Sequence, residues 1–220
     1  MAEQPERPKI NTFKHFQMWA EPINGSGQKP RLEFGIRDGQ PRVSVFTNVP
    51  GDTQTGGAIS ASMNPETFFS FLEMLKRIAM SDKECKYCLE CYTAYDPVTQ
   101  KTTDTKILVS SIMFGRDADG IIWLSVIADN RPKIKFEFKP MDSDRNRFVT
   151  ATGEALSDAE CSTYRVLGRV DSLAKVYATF MAEFRQPKAD SGSRNNSFGG
   201  NQSYQQAPKK DMNFDDNLSF

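Results

Sequence analysis

GGAISASMNPETFFSFLEML, residues 56–75, holds a strand, a helix start and the joint between them within twenty residues. Gly57 to Ser62 reads as a short strand of small and branched side chains. Asn64 then stands where a helix N-cap is needed, Pro65 at the first helical position, and Glu66 in the first turn, facing the positive end of the helix. Beyond it Phe68, Phe71, Leu72, Leu75 and Ile78 recur at helical spacing, which predicts an amphipathic helix through about Ala79 with one apolar stripe.

Working outward, the same strand-to-helix grammar fills the chain up to Gln186. Upstream, Phe13 to Glu21 is strand-like. Arg31 to Arg37 alternates, with Leu32, Phe34 and Ile36 on one side and Arg31, Glu33 and Arg37 on the other. Asp38-Gly39 marks a hairpin turn, and Arg42 to Asn48 runs back with Val43, Val45 and Thr47 inward. Downstream, Tyr87 to Tyr95, Lys106 to Phe114, Ile121 to Ala128, Lys133 to Lys139 and Phe148 to Ala155 are strand-like. Asp117 to Gly120 and Asn130 to Pro132 supply turns. A second helix is announced by Ser157 and Glu160 at capping-box spacing and continues through Tyr164, Leu167, Val170, Tyr177, Phe180, Met181 and Phe184, with Pro187 as its stop.

These elements predict an α+β chain, a body of antiparallel sheet with two amphipathic helices. The halves echo each other. LEFGIRDGQPRVSV (residues 32–45) and IMFGRDADGIIWLSV (residues 112–126) share Phe-Gly, an Arg-Asp turn and a Ser-Val ending at an offset of about eighty residues, which suggests a duplicated unit. After Gln186 the character changes. Residues 187–210, PKADSGSRNNSFGGNQSYQQAPKK, contain no Leu, Ile or Val and are mostly Gly, Ser, Asn and Gln, which predicts a disordered linker. Three units follow: residues 1–186 as a folded body, 187–210 as the linker, and 211–220, DMNFDDNLSF, as an acidic tip threaded with Phe214, Leu218 and Phe220.

Composition excludes several classes of function. Lys and Arg total 28, as do Asp and Glu, so whole-molecule attraction to nucleic acid is absent and any such binding needs a local basic face. The opening MAEQPERPKI lacks an apolar core and apolar runs are short, so neither export nor membrane spanning is expected and the location is cytoplasmic. His15 is the single histidine, and no phosphate-binding glycine loop or zinc-protease motif occurs, so no catalytic residue is assigned and a non-enzymatic role is expected. A metal-dependent nucleic-acid enzyme using Asp117, Asp119, Asp142 and Asp144 is an alternative, although aspartate-rich turns are usually only turns. Cys85, Cys88 and Cys91, joined by Cys161 or His15, have the ligand count for zinc. A spacing of three on a strand puts neighbouring thiols on opposite faces, so free thiols and no cofactor are the expectation.

The polar phases of the strands carry a stronger signal. Arg31 and Arg37 share one; Arg42, Ser44 and Phe46 share the next; Trp123 lies opposite Ile122 and Leu124; Lys133, Lys135 and Lys139 lie opposite Ile134, Phe136 and Phe138. Cations beside large aromatics on a sheet face suit single-stranded nucleic acid, whose phosphates follow the cations while its bases stack on the rings. A protein-only adaptor with these rings buried is the competing reading.

Residues 212–220 resemble the C-terminal tip of bacterial single-stranded DNA-binding proteins, Met-Asp-Phe-Asp-Asp-Asp-Ile-Pro-Phe. Five of the nine positions are identical and Leu218 stands for Ile, behind a similar Gly/Gln/Asn-rich linker; Asn213, Asn217 and Ser219 depart from the pattern. The resemblance implies that Phe214, Asp215, Asp216, Leu218 and Phe220 recruit replication, recombination and repair proteins. It also implies that the body binds single-stranded DNA. Because the resemblance stops at the tail, a phage-encoded protein acting in the bacterial host cell is expected. Residues 56–75 are similar to the last strand and helix of the positive-cofactor-four coactivators. With the Whirly and PUR proteins, that family builds single-strand-binding sheets from four strands and a helix, sometimes duplicated and commonly oligomeric. This implies a ββββα plan used twice and compatible with a homo-oligomer, with an elaborated oligonucleotide-binding barrel as the alternative.

Overall fold

A computed structural model describes residues 16–23, 27–37, 39–96, 101–141 and 144–183. The linker, the tip and His15 lie outside the described residues. The element order is β1 (Met18–Trp19), β2 (Arg31–Arg37), β3 (Gln40–Phe46), β4 (Ala58–Ser62), α1 (Pro65–Ala79), β5 (Cys85–Asp96), β6 (Lys101–Arg116), β7 (Ile122–Ile127), β8 (Phe136–Glu137) and α2 (Asp158–Glu183). Strands β1 to β4 form one antiparallel meander and β5 to β8 a second, each followed by a helix, so ββββα occurs twice. Neither sheet closes into a barrel. The echoed segments occupy equivalent places, β2–β3 and β6–β7, with buried Phe34 and Phe114 each preceding a glycine.

Local chemistry accounts for the helices. The Asn64 side chain accepts from the Thr67 N–H at 2.7 Å and Pro65 opens α1, whose Phe68, Phe71, Leu72, Leu75 and Ile78 are buried. At α2 the Glu160 carboxylate accepts from the Ser157 N–H at 2.9 Å and the Ser157 hydroxyl accepts from the Glu160 N–H at 3.3 Å, completing the capping box. Burying one large apolar side chain contributes about 1.5–3 kcal/mol, so the α1 stripe alone justifies the helix.

Cross-packing joins the halves into one core. The Phe71 ring meets Phe114 of β6 edge-on at 5.0 Å, while Tyr177 of α2 stacks 4.1 Å from Phe68 and donates its hydroxyl to the Gly35 carbonyl of β2 at 2.7 Å. Arg116, buried on β6, donates to the carbonyls of Ile78 and Ala79 and to the Thr163 hydroxyl. A second-half guanidinium thus caps the negative end of the first-half helix. Gly115 is required where β5 crosses β6, because an added Cβ would lie 2.1 Å from the Cys85 carbonyl oxygen.

Three expected strands are altered. β1 is only two residues long, and β8 is cut to Phe136–Glu137, although Ile134, Phe136 and Phe138 all point into the core as the alternation requires. Phe148 to Ala155 is not a strand of the sheet. Its Thr150 N–H donates to Glu154 O and a single bridge joins Val149 to Ala155, so the segment folds back on itself as a small hairpin. Among the described residues no helix is long and apolar enough to cross a membrane.

Candidate nucleic-acid interface

Period-two alternation sends Leu32, Phe34, Val43, Val45, Ile59 and Ala61 into the core, which leaves Arg31, Glu33 and Arg37 of β2, Arg42, Ser44 and Phe46 of β3, and Ser60 and Ser62 of β4 on the opposite face. Register then aligns them in rungs: Trp19, Arg31, Phe46 and Ala58 form one, Glu33, Ser44 and Ser60 the next, and Gly35, Arg42 and Ser62 a third. The four sheet-face residues expected on the first sheet, Arg31, Arg37, Arg42 and Phe46, therefore share one surface.

The first rung is its centre. The Arg31 guanidinium lies over two rings, 4.6 Å from the Phe46 centroid and 5.7 Å from that of Trp19, and its Nε is 2.7 Å from a Glu33 carboxylate oxygen. Gln17 donates to the same carboxylate at 2.5 Å. Across the sheet Arg42 donates to the Ser60 hydroxyl at 2.5 Å, and Ser44 and Ser60 share a hydrogen bond at 2.9 Å. Among the described residues this face carries three guanidiniums, Arg31, Arg37 and Arg42, and one carboxylate, Glu33. Trp19 is 39% exposed and was missed by sequence reasoning. Its place opposite Arg31 depends on a register set across an eleven-residue connection, which strand alternation cannot supply.

The second sheet presents a different surface. Trp123 is only 6% exposed and its neighbours on the same face, Met113 and Ser125, are buried too, so the expected exposed ring is corrected to a packed one. Lys135 and Lys139 are drawn into a local ion cluster. Lys135 lies 3.0 Å from both Asp117 and Glu137, and Lys139 2.5 Å from Glu137. Burial alone would lower the Lys135 pKa, but its bonds to Glu137 and Asp117 outweigh burial and raise it; against its own desolvation, the bonds from Lys139 and Lys135 hold Glu137 below its ordinary value. Two cations are answered by two carboxylates, while Lys133 and Lys139 are both exposed.

The remaining candidates divide clearly. Cys85, Cys88 and Cys91 lie on β5, opposite Arg116, Met113 and Ser110, with Cys88 facing away from Cys91; Cys161 is buried on α2. Burial pushes the Cys91 thiol up to about 11 and raises that of Cys88. No group of three or more metal-ligating side chains occurs among the described residues. Asp117 is engaged as a turn cap, accepting from the Ile121 N–H at 2.8 Å, and Asp144 accepts from the Met141 N–H at 2.9 Å while pairing with Arg165. Asp119 is exposed in the β6–β7 turn; Asp142 and the tip residues Phe214, Asp215, Asp216, Leu218 and Phe220 lie outside the described residues.

The fold and this face define an α+β protein of two ββββα units with one basic, aromatic sheet surface. Comparison with protein-family models, with curated proteins and with solved structures returns no match.

Proposed function

We propose that this protein binds single-stranded DNA on the outer face of β2–β3 and recruits replication, recombination and repair proteins through its C-terminal tip, as a phage-type single-strand coat acting in a bacterial host. The observation that carries the reading is the Trp19–Arg31–Phe46 rung, in which a half-exposed guanidinium is held between two rings on an open sheet face. Such a rung offers a phosphate contact and flanking stacking surfaces, while the hydroxyls of Ser44 and Ser60 and the guanidinium of Arg42 extend the polar track. The work is binding, and no residue is assigned a chemical step.

Fluorescence titration tests it directly. Oligo(dT) should quench Trp19 emission in a salt-sensitive manner and compete well against duplex of equal length. Trp19→Phe should abolish most of the quench, whereas Trp123→Phe should preserve it. Absence of any preference for single strands sinks the proposal. Removing residues 211–220 should leave DNA affinity unchanged or raise it, since acidic residues compete with phosphate for a basic face; a large loss would refute the division of labour between body and tip.

A further inference from the structure

Phe16, Phe148, Tyr164, Arg165, Gly168 and Arg169 line an open cleft of about 280 Å³ where the segment before β1, the Phe148–Leu156 hairpin and the outward stripe of α2 meet. Each contributor is unfavourable by the rules of folding alone. Phe148 and Tyr164 are 58% and 56% exposed, Tyr164 lying off the Val166–Val170–Leu173–Tyr177 stripe that α2 buries. Gly168 disfavours the helix relative to alanine, yet an added Cβ would meet nothing within 4 Å, so no packing demands a glycine there. Arg165 and Arg169 place like charges one helical turn apart.

Arg169 is the sharpest anomaly. It donates to the Phe16 carbonyl at 2.6 Å and lies 5.6 Å from the Phe138 ring centroid, but among the described residues it has no carboxylate partner. Burial and the neighbouring Arg165 charge lower its pKa to about 10, which still leaves it protonated at neutral pH. Arg165 is held in place by Asp144. The cleft therefore offers aromatic surface, a bare floor and a deep cation without an acid, a set that matches a planar ring carrying a nearby negative charge.

We propose that this cleft is a nucleotide subsite, in which one base of a single strand stacks on Phe148 and Tyr164 over Gly168 and its phosphate meets Arg165 and Arg169. The inference rests on the single-strand reading above and extends it to a second contact point that shares no residue with the β2–β3 face. The two sites are close along the chain. Phe16 in the cleft and Trp19 on the rung are three residues apart, at most about 10 Å along the chain, and Gln17 between them is bonded to Glu33 of the sheet face.

The test uses Phe148→Ala/Tyr164→Ala and, separately, Gly168→Leu, each in the full chain and in residues 1–210, with fluorescence anisotropy of a long oligo(dT) and thermal melting. The double variant should lose at least about fivefold in affinity in both lengths. Gly168→Leu should weaken binding with no fall in Tm, a combination that a merely structural role for the site does not produce. Ultraviolet crosslinking should place thymine adducts on Tyr164. If the wild type binds but both variants bind as tightly, the subsite is overturned and the sheet-face reading stands; if the wild type fails to bind single strands, both fall. Equal affinity of the double variant in residues 1–210, with tighter binding in the full chain, overturns the subsite in favour of the acidic tip as its occupant.

Discussion

Replacing Phe46 with alanine should weaken oligo(dT) binding by about 5- to 150-fold without unfolding the protein. The estimate follows from the rung. Phe46 ends β3 on the solvent face, half-buried, and its exposed surface is shared with the Arg31 guanidinium 4.6 Å away rather than with the core. A base stacked on such a ring contributes about 1–3 kcal/mol, which gives the stated range. The intramolecular loss is one cation–π contact at an exposed site, about 0.5–1 kcal/mol, so the urea midpoint should move little. Arg31→Ala should act differently. It removes a phosphate contact, and the slope of log affinity against log salt should become shallower by about 0.7. Anisotropy over a salt series, with a urea melt of each variant, separates the two effects. Unchanged affinity in a folded Phe46→Ala protein would show that the rung does not carry bases, and a uniform loss matched by lost stability would reduce Phe46 to a packing residue.

Other consequences concern the scaffold. Asp52 and Arg131 form a pair at 2.7 Å, with side chains 6% and 5% exposed, so Asp52→Ala should cost about 3 kcal/mol in urea unfolding because the guanidinium loses its carboxylate and keeps only its bonds to Thr55 and Ala58. Burial by itself would raise the Asp52 pKa, but the bonds from Arg131 and Thr47 and the Arg131 charge hold it below its ordinary value. Its contribution is therefore complete above about pH 4 and is lost as pH falls through the lowered folded value, and acid titration of Asp52→Asn should lack that component. Gly115→Ala should destabilise the fold by at least the roughly 1–3 kcal/mol typical of overpacking, read as a lower Tm, since the nearest obstacle is backbone. Thiol titration with a disulfide reagent at pH 8 should modify exposed Cys88 well before Cys91.

Much of this architecture is legible in the residues, and what is not has definite causes. Asn64, Pro65 and Glu66 fix the start of α1, and Ser157 with Glu160 fixes that of α2, because capping chemistry is local. The shared Phe-Gly and Ser-Val segments locate the second and third strands of each unit. Alternation also places Arg31, Arg37, Arg42 and Phe46 on one face. It fails at Trp123, because period two assigns a phase but cannot say that both faces of β7 are buried. It fails again at Phe148–Ala155, whose strand-like run closes on itself through Thr150 and Glu154. The Arg116 cap on α1 joins residues 37 and 38 positions apart, and nothing local marks an arginine that serves a helix end in the other half.

The burial of Trp123 has a consequence for stoichiometry. Two alike units within one chain have not kept two alike outer surfaces: the first sheet's face is open and basic, while the second's is packed around Met113, Trp123 and Ser125. The two ββββα units therefore differ in their outer faces, and under the single-strand proposal one end of a footprint would meet a surface unlike the other. If that proposal holds, copies bound along one strand would share a direction set by its 5′-to-3′ sense.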